Sequence, residues 1–312
     1  MIVIRRLLEK LNGLLLPTTT PFDRSGEIDY PSLVANLAKW SQTGISGYVL
    51  LGSTGERVHL NDWEYLQTIE TAREAVSADL AFIVGAGQQS SLGTINEVNK
   101  AAQAGADAVL VITPYFYRAA ITQETLIKYY RAVADEAPVP VLLYSMPALT
   151  GIKIEPETIA SLSEHANIIG VKDSSNDVAG FSKTVSLCPD DFAVLTGNGT
   201  VWLDALRAGA SGGILAVGCV VPEVCVEILR AFSAGEGEHA AMLQSKLTPL
   251  AAAVTTRFGI GGLKAALDLA GYRGGFVRAP LQAPNQVARE EIAGLINEAQ
   301  SSLPQRRKGN RV

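Results

Sequence analysis

Cysteine is scarce in this chain of 312 residues, and its placement is uninformative for metal binding. The three cysteines, Cys188, Cys219 and Cys225, form neither an even set nor the spacing of metal ligands. They are typical of small buried or half-buried side chains in a reducing compartment. We therefore expect no disulfide framework and no metal site built on cysteine.

Long apolar segments are also missing. No apolar run reaches the roughly 18 residues that a membrane-spanning helix needs. The first residues, MIVIRRLLEKLNG, are interrupted by charge after four apolar residues, too few for the apolar part of a signal peptide. The expectation is a soluble, cytoplasmic protein that has no membrane partner.

Positive charge is not concentrated on any predicted element, and the formal net charge is −5. A nucleic-acid-binding surface needs lysine and arginine gathered on one face. The basic cluster here consists of Arg306, Arg307, Lys308 and Arg311, beyond the last apolar periodicity, where a chain is typically solvated and frayed. Nucleic acid is therefore not an expected partner.

Short apolar runs recur along the chain, and they are rich in aliphatic and β-branched residues. Such runs are typical of strands buried on both faces of a parallel sheet. The candidates are Leu14–Leu16, Tyr48–Leu51, Ala81–Val84, Ala108–Ile112, Val139–Leu143, Ile168–Val171, Phe192–Leu195 and Ile214–Val217.

Helical patterns separate these runs. Leu33, Leu37 and Trp40 recur at spacings of four and three, which places them on one face of a helix. Asn61 and Glu64 have the spacing of a capping box. Helices of this kind between strands predict an α/β fold.

Glycines mark the joints at which these helices end. Gly44, Gly105 and Gly209 each follow a helical segment and precede a strand candidate, where glycine can adopt the left-handed conformation that closes a helix. Eight strands alternating with helices predict a (β/α)8 TIM barrel. A doubly wound open sheet shows the same alternation and remains the alternative.

The strand pattern stops at about residue 236. Segments 237–256, 260–270 and 286–302 have helical patterns. The predicted organisation is a barrel over residues 13–235 and a C-terminal helical extension over residues 236–312.

Lys172 is the strongest candidate for a catalytic residue in this sequence. It follows the apolar run Ile168–Val171, at the end of a strand where barrel enzymes place their functional groups. Burial disfavours an ammonium group and frees the amine, which can then condense with a ketone to give an iminium electron sink. The alternative interpretation is an ion-paired lysine, or one that extends to solvent from a strand end.

Neighbouring strand ends offer the other groups that such chemistry needs. Tyr144 follows the fifth run, and its phenol can deliver a proton to the departing hydroxide. The loop Gly52-Ser53-Thr54-Gly55 offers two hydroxyls and backbone N–H groups that suit a carboxylate. Taken alone, a rim tyrosine and a glycine turn are common structural features.

Other chemistries are not supported. Gly85-Ala86-Gly87 lacks the third glycine of a dinucleotide fingerprint. His59, His165 and His239 are scattered without ligand spacing, and no nucleophile–histidine–acid set can be assembled. We expect lysine chemistry with no cofactor and no metal.

These motifs together resemble the dihydrodipicolinate synthase / N-acetylneuraminate lyase superfamily over nearly the whole chain. The resemblance is carried by Gly52-Ser53-Thr54-Gly55-Glu56, by Tyr144-Ser145-Met146-Pro147 and by Gly170-Val171-Lys172-Asp173-Ser174. It implies a lyase on a TIM barrel with a helical C-terminal part, usually a homotetramer built as a dimer of dimers.

The resemblance also implies roles for individual residues. Lys172 would form the Schiff base with pyruvate or a related 2-oxo acid, and Tyr144 would relay protons. Ser53 and Thr54 would bind the carboxylate and pass protons, which makes Thr54 a catalytic residue as well. Ile214 matches a position whose backbone faces pyruvate. Two further residues complete the expected substrate contacts, Tyr115 and Asn198.

Two departures bear on the second substrate, an aldehyde. Synthases of this family carry an arginine in Pro-x-Arg-Thr-Gly, where this chain has Leu149 in Pro147-Ala148-Leu149-Thr150-Gly151, and leucine cannot form a charge-assisted contact. They also borrow a tyrosine from a neighbouring subunit, where this chain has Phe116; Tyr115 or Tyr117 is a candidate replacement.

The C-terminal segments 251–260, 271–275 and 278–282 resemble those of the 4-hydroxy-2-oxoglutarate aldolase branch. The leading prediction is therefore a retro-aldol enzyme that yields pyruvate and glyoxylate, or a close variant of it. One alternative is dihydrodipicolinate synthase or another sugar-acid lyase with the same lysine chemistry. Another, of a different class, is a metabolite-binding barrel without turnover.

Overall fold

A computed structural model of the protein describes residues 2–301 and residue 303. The basic cluster Arg306, Arg307, Lys308 and Arg311 lies outside the described residues, so its interpretation as a solvated tail stays a prediction. Within the described part of the chain, none of the helices combines the length and apolar character needed to cross a membrane.

In these described residues, parallel strands close into a barrel in the order of the sequence. They are β1 (Leu14–Pro17), β2 (Gly47–Leu50), β3 (Ala81–Ala86), β4 (Ala108–Ile112), β5 (Val141–Ser145), β6 (Ile168–Asp173), β7 (Ala193–Thr196) and β8 (Gly212–Ile214). Closure is made by β1 and β8, which align Leu14 with Gly213 and Leu15 with Ile214. The predicted TIM barrel is confirmed, and the open-sheet alternative is wrong.

Helices connect the strands and continue beyond the last one. They are α1 (Ile2–Leu11), α2 (Tyr30–Trp40), α3 (Asp62–Ala75), α4 (Ser91–Gln103), α5 (Gln123–Glu136), α6 (Pro147–Thr150), α7 (Pro156–Ser163), α8 (Val178–Leu187), α9 (Trp202–Arg207), α10 (Pro222–Ser233), α11 (Gly237–Ala252), α12 (Gly259–Leu269) and α13 (Gln286–Gln300).

The local signals for helix ends are confirmed. The Asn61 side chain accepts a hydrogen bond from the Glu64 N–H, and the Glu64 carboxylate accepts one from the Asn61 N–H, each at 2.9 Å. Gly44, Gly105 and Gly209 have φ angles of 83°, 97° and 95°. Glycine adopts this left-handed conformation without a steric penalty, so each helix can end there and the next strand can begin.

The last strand differs from its prediction. The apolar pattern predicts it at Ile214–Val217, but β8 covers Gly212–Ile214 and residues Ala216–Cys219 form a 3₁₀ turn. A Cβ on Gly213 would lie 2.9 Å from the Trp202 ring, so the absence of a side chain lets this strand pack closely. Apolar-run analysis overlooks such a strand because glycine adds nothing to an apolar run.

Sequence analysis assigned no element to the first residues, where the structure has α1. Leu7 and Leu11 are buried and pack with the barrel-interior residues Leu15, Val49 and Leu110. The helix therefore closes the N-terminal end of the barrel. The other end, at which the strands finish, is left for a site.

The predicted C-terminal helices are confirmed as α11, α12 and α13, with α11 continued by a π-helical turn over Ala253–Arg257. Helix α11 packs against α10 of the barrel. The division of the chain into two domains between residues 235 and 236 therefore stays a prediction. The cysteines are all free; Cys219 and Cys225 are buried and Cys188 is half-buried, as expected.

Candidate active site

Tyr144 and Lys172 lie side by side on neighbouring strands. The register of β5 with β6 aligns these two residues, so their side chains leave the sheet on the same face. Lys172 Nζ is 4.5 Å from the centre of the Tyr144 ring. Tyr144 packs with the barrel-interior residues Leu15 and Ile214, which places the pair inside the barrel.

The Lys172 side chain is enclosed. It is 4% exposed, and among the described residues it has no hydrogen bond or ion pair. Its Cε would lie 2.7 Å from a Cβ on Gly197, so the glycine after β7 leaves room for the lysine. Both alternatives for Lys172, an ion-paired lysine and one that extends to solvent, are therefore wrong.

The loop after β2 approaches the same place from the opposite side. Ser53 Oγ is 3.0 Å from the Tyr144 hydroxyl, and either oxygen can be the donor. Thr54 is 7% exposed and Ser53 is half-buried. Lys172, Tyr144 and Ser53 thus form a continuous set, with the phenol between the amine and the loop.

This loop has an unusual backbone at both of its ends. Leu51 and Glu56, which flank Gly52-Ser53-Thr54-Gly55, have φ angles of 53° and 56°. Left-handed backbone is unfavourable for side chains of this kind and persists only where the surroundings impose it. A Cβ on Gly55 would lie 2.9 Å from Leu51 Cα, so the loop is also too tight for a side chain there.

The other predicted contacts are less direct. Ile214 ends β8 and is completely buried. Asn198 caps the turn after β7, accepting from Thr200 N–H at 3.0 Å, and its amide contacts Asn176. Tyr115 is half-buried, and its N–H donates to Gln89 Oε1 at 2.9 Å. For Asn198 and Tyr115 the recorded hydrogen bonds stay within the rim loops.

The rim of the barrel is exposed near Phe116 and Leu149, the two positions that differ from the synthase pattern. Phe116, Tyr117 and Leu149 are 70%, 71% and 62% exposed. The Arg118 guanidinium packs beside the same segment, with Nη1 2.9 Å from where a Cβ on Gly151 would stand. Among the described residues it has no hydrogen bond or ion pair, so a cation is available where Leu149 offers none.

An open cleft of about 650 Å³ lies elsewhere, between α3 and α4, and is lined by polar side chains such as Arg57, Gln89 and Lys100. It does not include Lys172. The barrel interior remains the better candidate for lysine chemistry, because enclosure by protein is what desolvates an amine, and an open polar cleft does not supply it.

The structure brings together three potential metal ligands that are apart in the sequence, Glu227, Glu236 and His239. Arg230 already occupies this cluster, with Nη2 at 2.8 Å from Glu227 and 2.5 Å from Glu236. The guanidinium pairs with both carboxylates, so the cluster is interpreted as an ion-pair network at the surface.

Comparison with known proteins identifies the family to which this chain belongs. The model of the dihydrodipicolinate synthetase family matches residues 10–299. The chain belongs to the dihydrodipicolinate synthetase family. It is 35% identical over 280 residues to the 4-hydroxy-tetrahydrodipicolinate synthase of Syntrophus aciditrophicus (strain SB), covering 90% of this chain and 95% of that one. This dihydrodipicolinate synthetase family member is therefore an enzyme of the lyase type.

Solved structures agree with this family membership. A monomeric dihydrodipicolinate synthase variant superposes with a TM-score of 0.89 at 30% identity, covering 94% of this chain and 98% of that one. A prophage protein of the dihydrodipicolinic acid synthase family from E. coli K12, in complex with pyruvate, gives a TM-score of 0.86 at 29% identity, covering 92% and 98%.

The expected superfamily is thus confirmed, whereas the 4-hydroxy-2-oxoglutarate aldolase branch is not. The relatives are named as synthases, which supports the alternative over the leading prediction. Membership in an enzyme family also counts against a binding barrel without turnover.

Proposed function

We propose that this enzyme joins pyruvate, held as a Schiff base on Lys172, to an aldehyde that carries a carboxylate. The observation that carries the proposal is the buried amine of Lys172, which has no ion-pair partner among residues 2–301 and 303. It lies beside Tyr144, whose hydroxyl is 3.0 Å from Ser53. An enclosed lysine with no carboxylate partner is suited to condensation with a ketone.

The first half of the reaction uses Lys172 and Tyr144. The amine Nζ bonds to the keto carbon, and the resulting carbinolamine takes a proton from the Tyr144 hydroxyl and releases water, which leaves an iminium. The phenolate then removes a proton from the methyl carbon and gives an enamine. The side-by-side placement of the two residues supports both steps, because one oxygen serves the leaving group and the methyl carbon.

The loop after β2 supplies the carboxylate site. Ser53 and Thr54 offer hydroxyls and N–H groups to the pyruvate carboxylate, and Ser53 carries protons to and from Tyr144. Backbone donors in a tight turn favour an anion. Ile214 at the end of β8 lines the opposite side of the substrate, while Tyr115 and Asn198 form the outer rim.

For the second half we propose the synthase reaction, in which the enamine carbon attacks the aldehyde carbon. The names of the relatives support this choice. Retro-aldol cleavage to pyruvate and glyoxylate is the second candidate. It is favoured by Leu149 and Phe116, which replace the arginine and the tyrosine expected of a synthase.

The test of the lysine chemistry is borohydride reduction in the presence of pyruvate, followed by intact-protein and peptide mass spectrometry. We expect one reduced pyruvyl adduct, located on Lys172 and absent from Lys172→Ala. Lys183→Ala, which changes an exposed lysine on α8, is the matched control and keeps the adduct. An adduct on another lysine, or none on folded enzyme, contradicts the proposal.

A turnover screen then separates the two reactions. Pyruvate consumption with aspartate semialdehyde as acceptor supports the synthase, and pyruvate release from 4-hydroxy-2-oxoglutarate supports the aldolase. A homotetramer and a cytoplasmic location stay predictions; multi-angle light scattering measures the former.

A further inference from the structure

A buried group of charges lies directly behind the loop after β2, where the C-terminal helices meet the barrel. It consists of Glu56 and Glu64 from the barrel side and Lys264 and Arg278 from the C-terminal side, and we call it the Lys264 cluster. Lys264, on α12, is 1% exposed and Glu56 is 2% exposed. Two acids therefore face two bases, and the cluster is neutral as a set.

Lys264 holds three groups at once. Its Nζ is 2.5 Å from Glu56 Oε1 and donates to the carbonyl oxygens of Thr20 and Phe276 at 2.7 and 2.6 Å. Two donors of the ammonium group are thus matched by carbonyl acceptors, and Glu56 Oε1 balances the charge as an ion-pair partner without a hydrogen bond. The lysine is fully committed to this position and is not free to react.

The second carboxylate oxygen of Glu56 is held as well. Oε2 accepts from the Arg278 N–H at 3.1 Å and lies 3.1 Å from His59 Nδ1. The Arg278 guanidinium in turn donates to Glu64 Oε2 and to the His59 carbonyl, each at 2.8 Å. Lys264 and Arg278 of the C-terminal segment therefore contact Glu56, the residue that ends the loop after β2, from two sides.

These contacts also reach the backbone of the loop after β2. Thr20 Oγ1 donates to the Gly55 carbonyl at 2.7 Å, and the carbonyl of the same threonine accepts from Lys264. Glu56 has the left-handed φ of 56° that terminates the loop. Both Gly55 and Glu56, the two residues after Thr54, are therefore tied to Lys264, one directly and one through Thr20.

Stability alone does not account for this arrangement. Burial lowers the pKa of Lys264 against the opposing attraction of Glu56, so the charge is costly to enclose. Buried ion pairs of this kind are often replaced by apolar residues without loss of stability. What the cluster provides instead is a fixed position for a backbone turn that is strained at both ends.

We propose that Lys264 and Glu56 are positioning residues, through which the C-terminal helices hold Ser53 and Thr54 in place for the carboxylate of the 2-oxo acid. The inference rests on the proposed function, since it assigns the carboxylate to this loop. It gives the C-terminal extension a part in substrate binding that does not depend on subunit assembly. Neither Lys264 nor Glu56 touches the substrate.

The test uses the full-length enzyme with the double substitution Lys264→Met and Glu56→Gln, which removes both charges, keeps the length of residue 56 and shortens residue 264 by one atom. The measurement is the pyruvate concentration that gives half-maximal borohydride adduct on Lys172, together with KM and kcat. We expect this concentration and KM to rise ~10-fold or more, because displaced contacts weaken binding steeply. At saturating pyruvate the adduct still forms, because Lys172 is untouched.

The matched control is the double substitution Lys183→Met and Glu157→Gln, which removes an exposed ion pair between α7 and α8. It leaves the pyruvate dependence unchanged. A merely structural role of the Lys264 cluster would lower the melting temperature and the amount of active enzyme without moving KM, and that result overturns the inference. So does a double variant with the pyruvate dependence of the wild type.

If the double variant does not fold, Thr20→Val provides a second test, because it removes only the hydrogen bond to the Gly55 carbonyl and keeps the side-chain shape. We expect the same shift in half-saturating pyruvate, at a smaller size; no shift in this variant overturns the inference. Absence of an adduct on wild-type enzyme instead refutes the proposed function, so the two failures are distinguishable.

Discussion

The amine of Lys172 lies 4.5 Å from the centre of the Tyr144 ring, and both residues are in register on adjacent strands. The ring covers the lysine while its hydroxyl, at the far end, is 3.0 Å from Ser53. A single tyrosine therefore shields the amine from water and links it to the loop after β2. This double contact is the basis of the first prediction.

Tyr144→Phe keeps the ring and removes the proton donor. We expect kcat to fall by roughly 10² to 10⁴, the usual contribution of a positioned acid or base. The pyruvate adduct should form slowly yet reach a similar final amount. Rapid-quench borohydride trapping measures the rate of adduct formation.

Tyr130→Phe is the control for this change, because the buried Tyr130 hydroxyl donates to the Val111 carbonyl at 3.1 Å and lies outside the site. It should lower the free energy of unfolding by about 1 to 3 kcal/mol and leave kcat unchanged. Equal rates of adduct formation in wild type and Tyr144→Phe would rule out the relay.

Gly197→Ala tests whether space around Lys172 matters. The added Cβ would stand 2.7 Å from Lys172 Cε and would also collide with Ser174 Oγ, so the lysine must move. A displacement of this size costs about 10²-fold in rate when the reacting atom is involved. Steady-state kcat and the rate of adduct formation both report it.

Gly294→Ala is the matched control, since a Cβ on this glycine of α13 meets nothing within 4 Å. It should raise the free energy of unfolding by about 0.5 to 1 kcal/mol, because alanine favours a helix over glycine. Unchanged kcat in Gly197→Ala would mean that Lys172 has room to reach pyruvate from another position.

Arg118→Gln tests the contact to the second substrate. Its guanidinium lies beside Gly151 without a partner among the described residues, close to the segment that contains Leu149. Loss of a charge-assisted bond to a carboxylate should raise the KM of an anionic aldehyde roughly 10-fold. The half-saturating pyruvate concentration should stay the same.

Two further variants bracket that result. Leu149→Arg, at a position that is 62% exposed, adds a second cation at the rim and should lower the KM of the anionic aldehyde. Arg131→Gln removes an arginine of α5 that donates to the Ser161 carbonyl and should have no effect on either substrate. If Arg118→Gln leaves the KM of the aldehyde unchanged, another group binds its carboxylate.

Glu64→Gln should change how the free energy of unfolding depends on pH. The hydrogen bond from Arg278 lowers the pKa of Glu64 below its ordinary value of 4.5. A lowered pKa means that this interaction stabilises the protein above pH 4.5 and is lost as the pH falls through the folded-state value. The variant should be less stable than wild type by about 1.5 to 3 kcal/mol at pH 7.

The gap between the two proteins should narrow as the pH drops below about 4.5, which chemical unfolding at several pH values measures. Glu124→Gln is the control: its partner Lys128 also lowers its pKa, but both side chains are exposed and screened by solvent. A gap between wild type and Glu64→Gln that is independent of pH would show that Glu64 acts only through its shape.

Much of the candidate site could be predicted because a barrel in sequence order places consecutive strand ends next to each other. Knowing that β5 and β6 are neighbours is enough to bring Tyr144 to Lys172. The Lys264 cluster was not predicted. Lys264 and Thr20 are 244 residues apart, and neither lies in a pattern that points to the other.

The sequence by itself determined the existence of the strands other than the glycine-rich β8, the helix ends and the chemical groups at the mouth of the barrel. Periodicity, caps and glycine joints depend on residues a few positions apart. Only the tertiary structure decided that β1 closes on β8 and that Lys172 is enclosed, with no ion-pair partner in the part of the chain that the structure describes. It also decided that Lys264 of α12 and the Arg278 N–H contact Glu56. Closure and burial arise from contacts between distant segments, and a buried charge finds its partner by proximity in space.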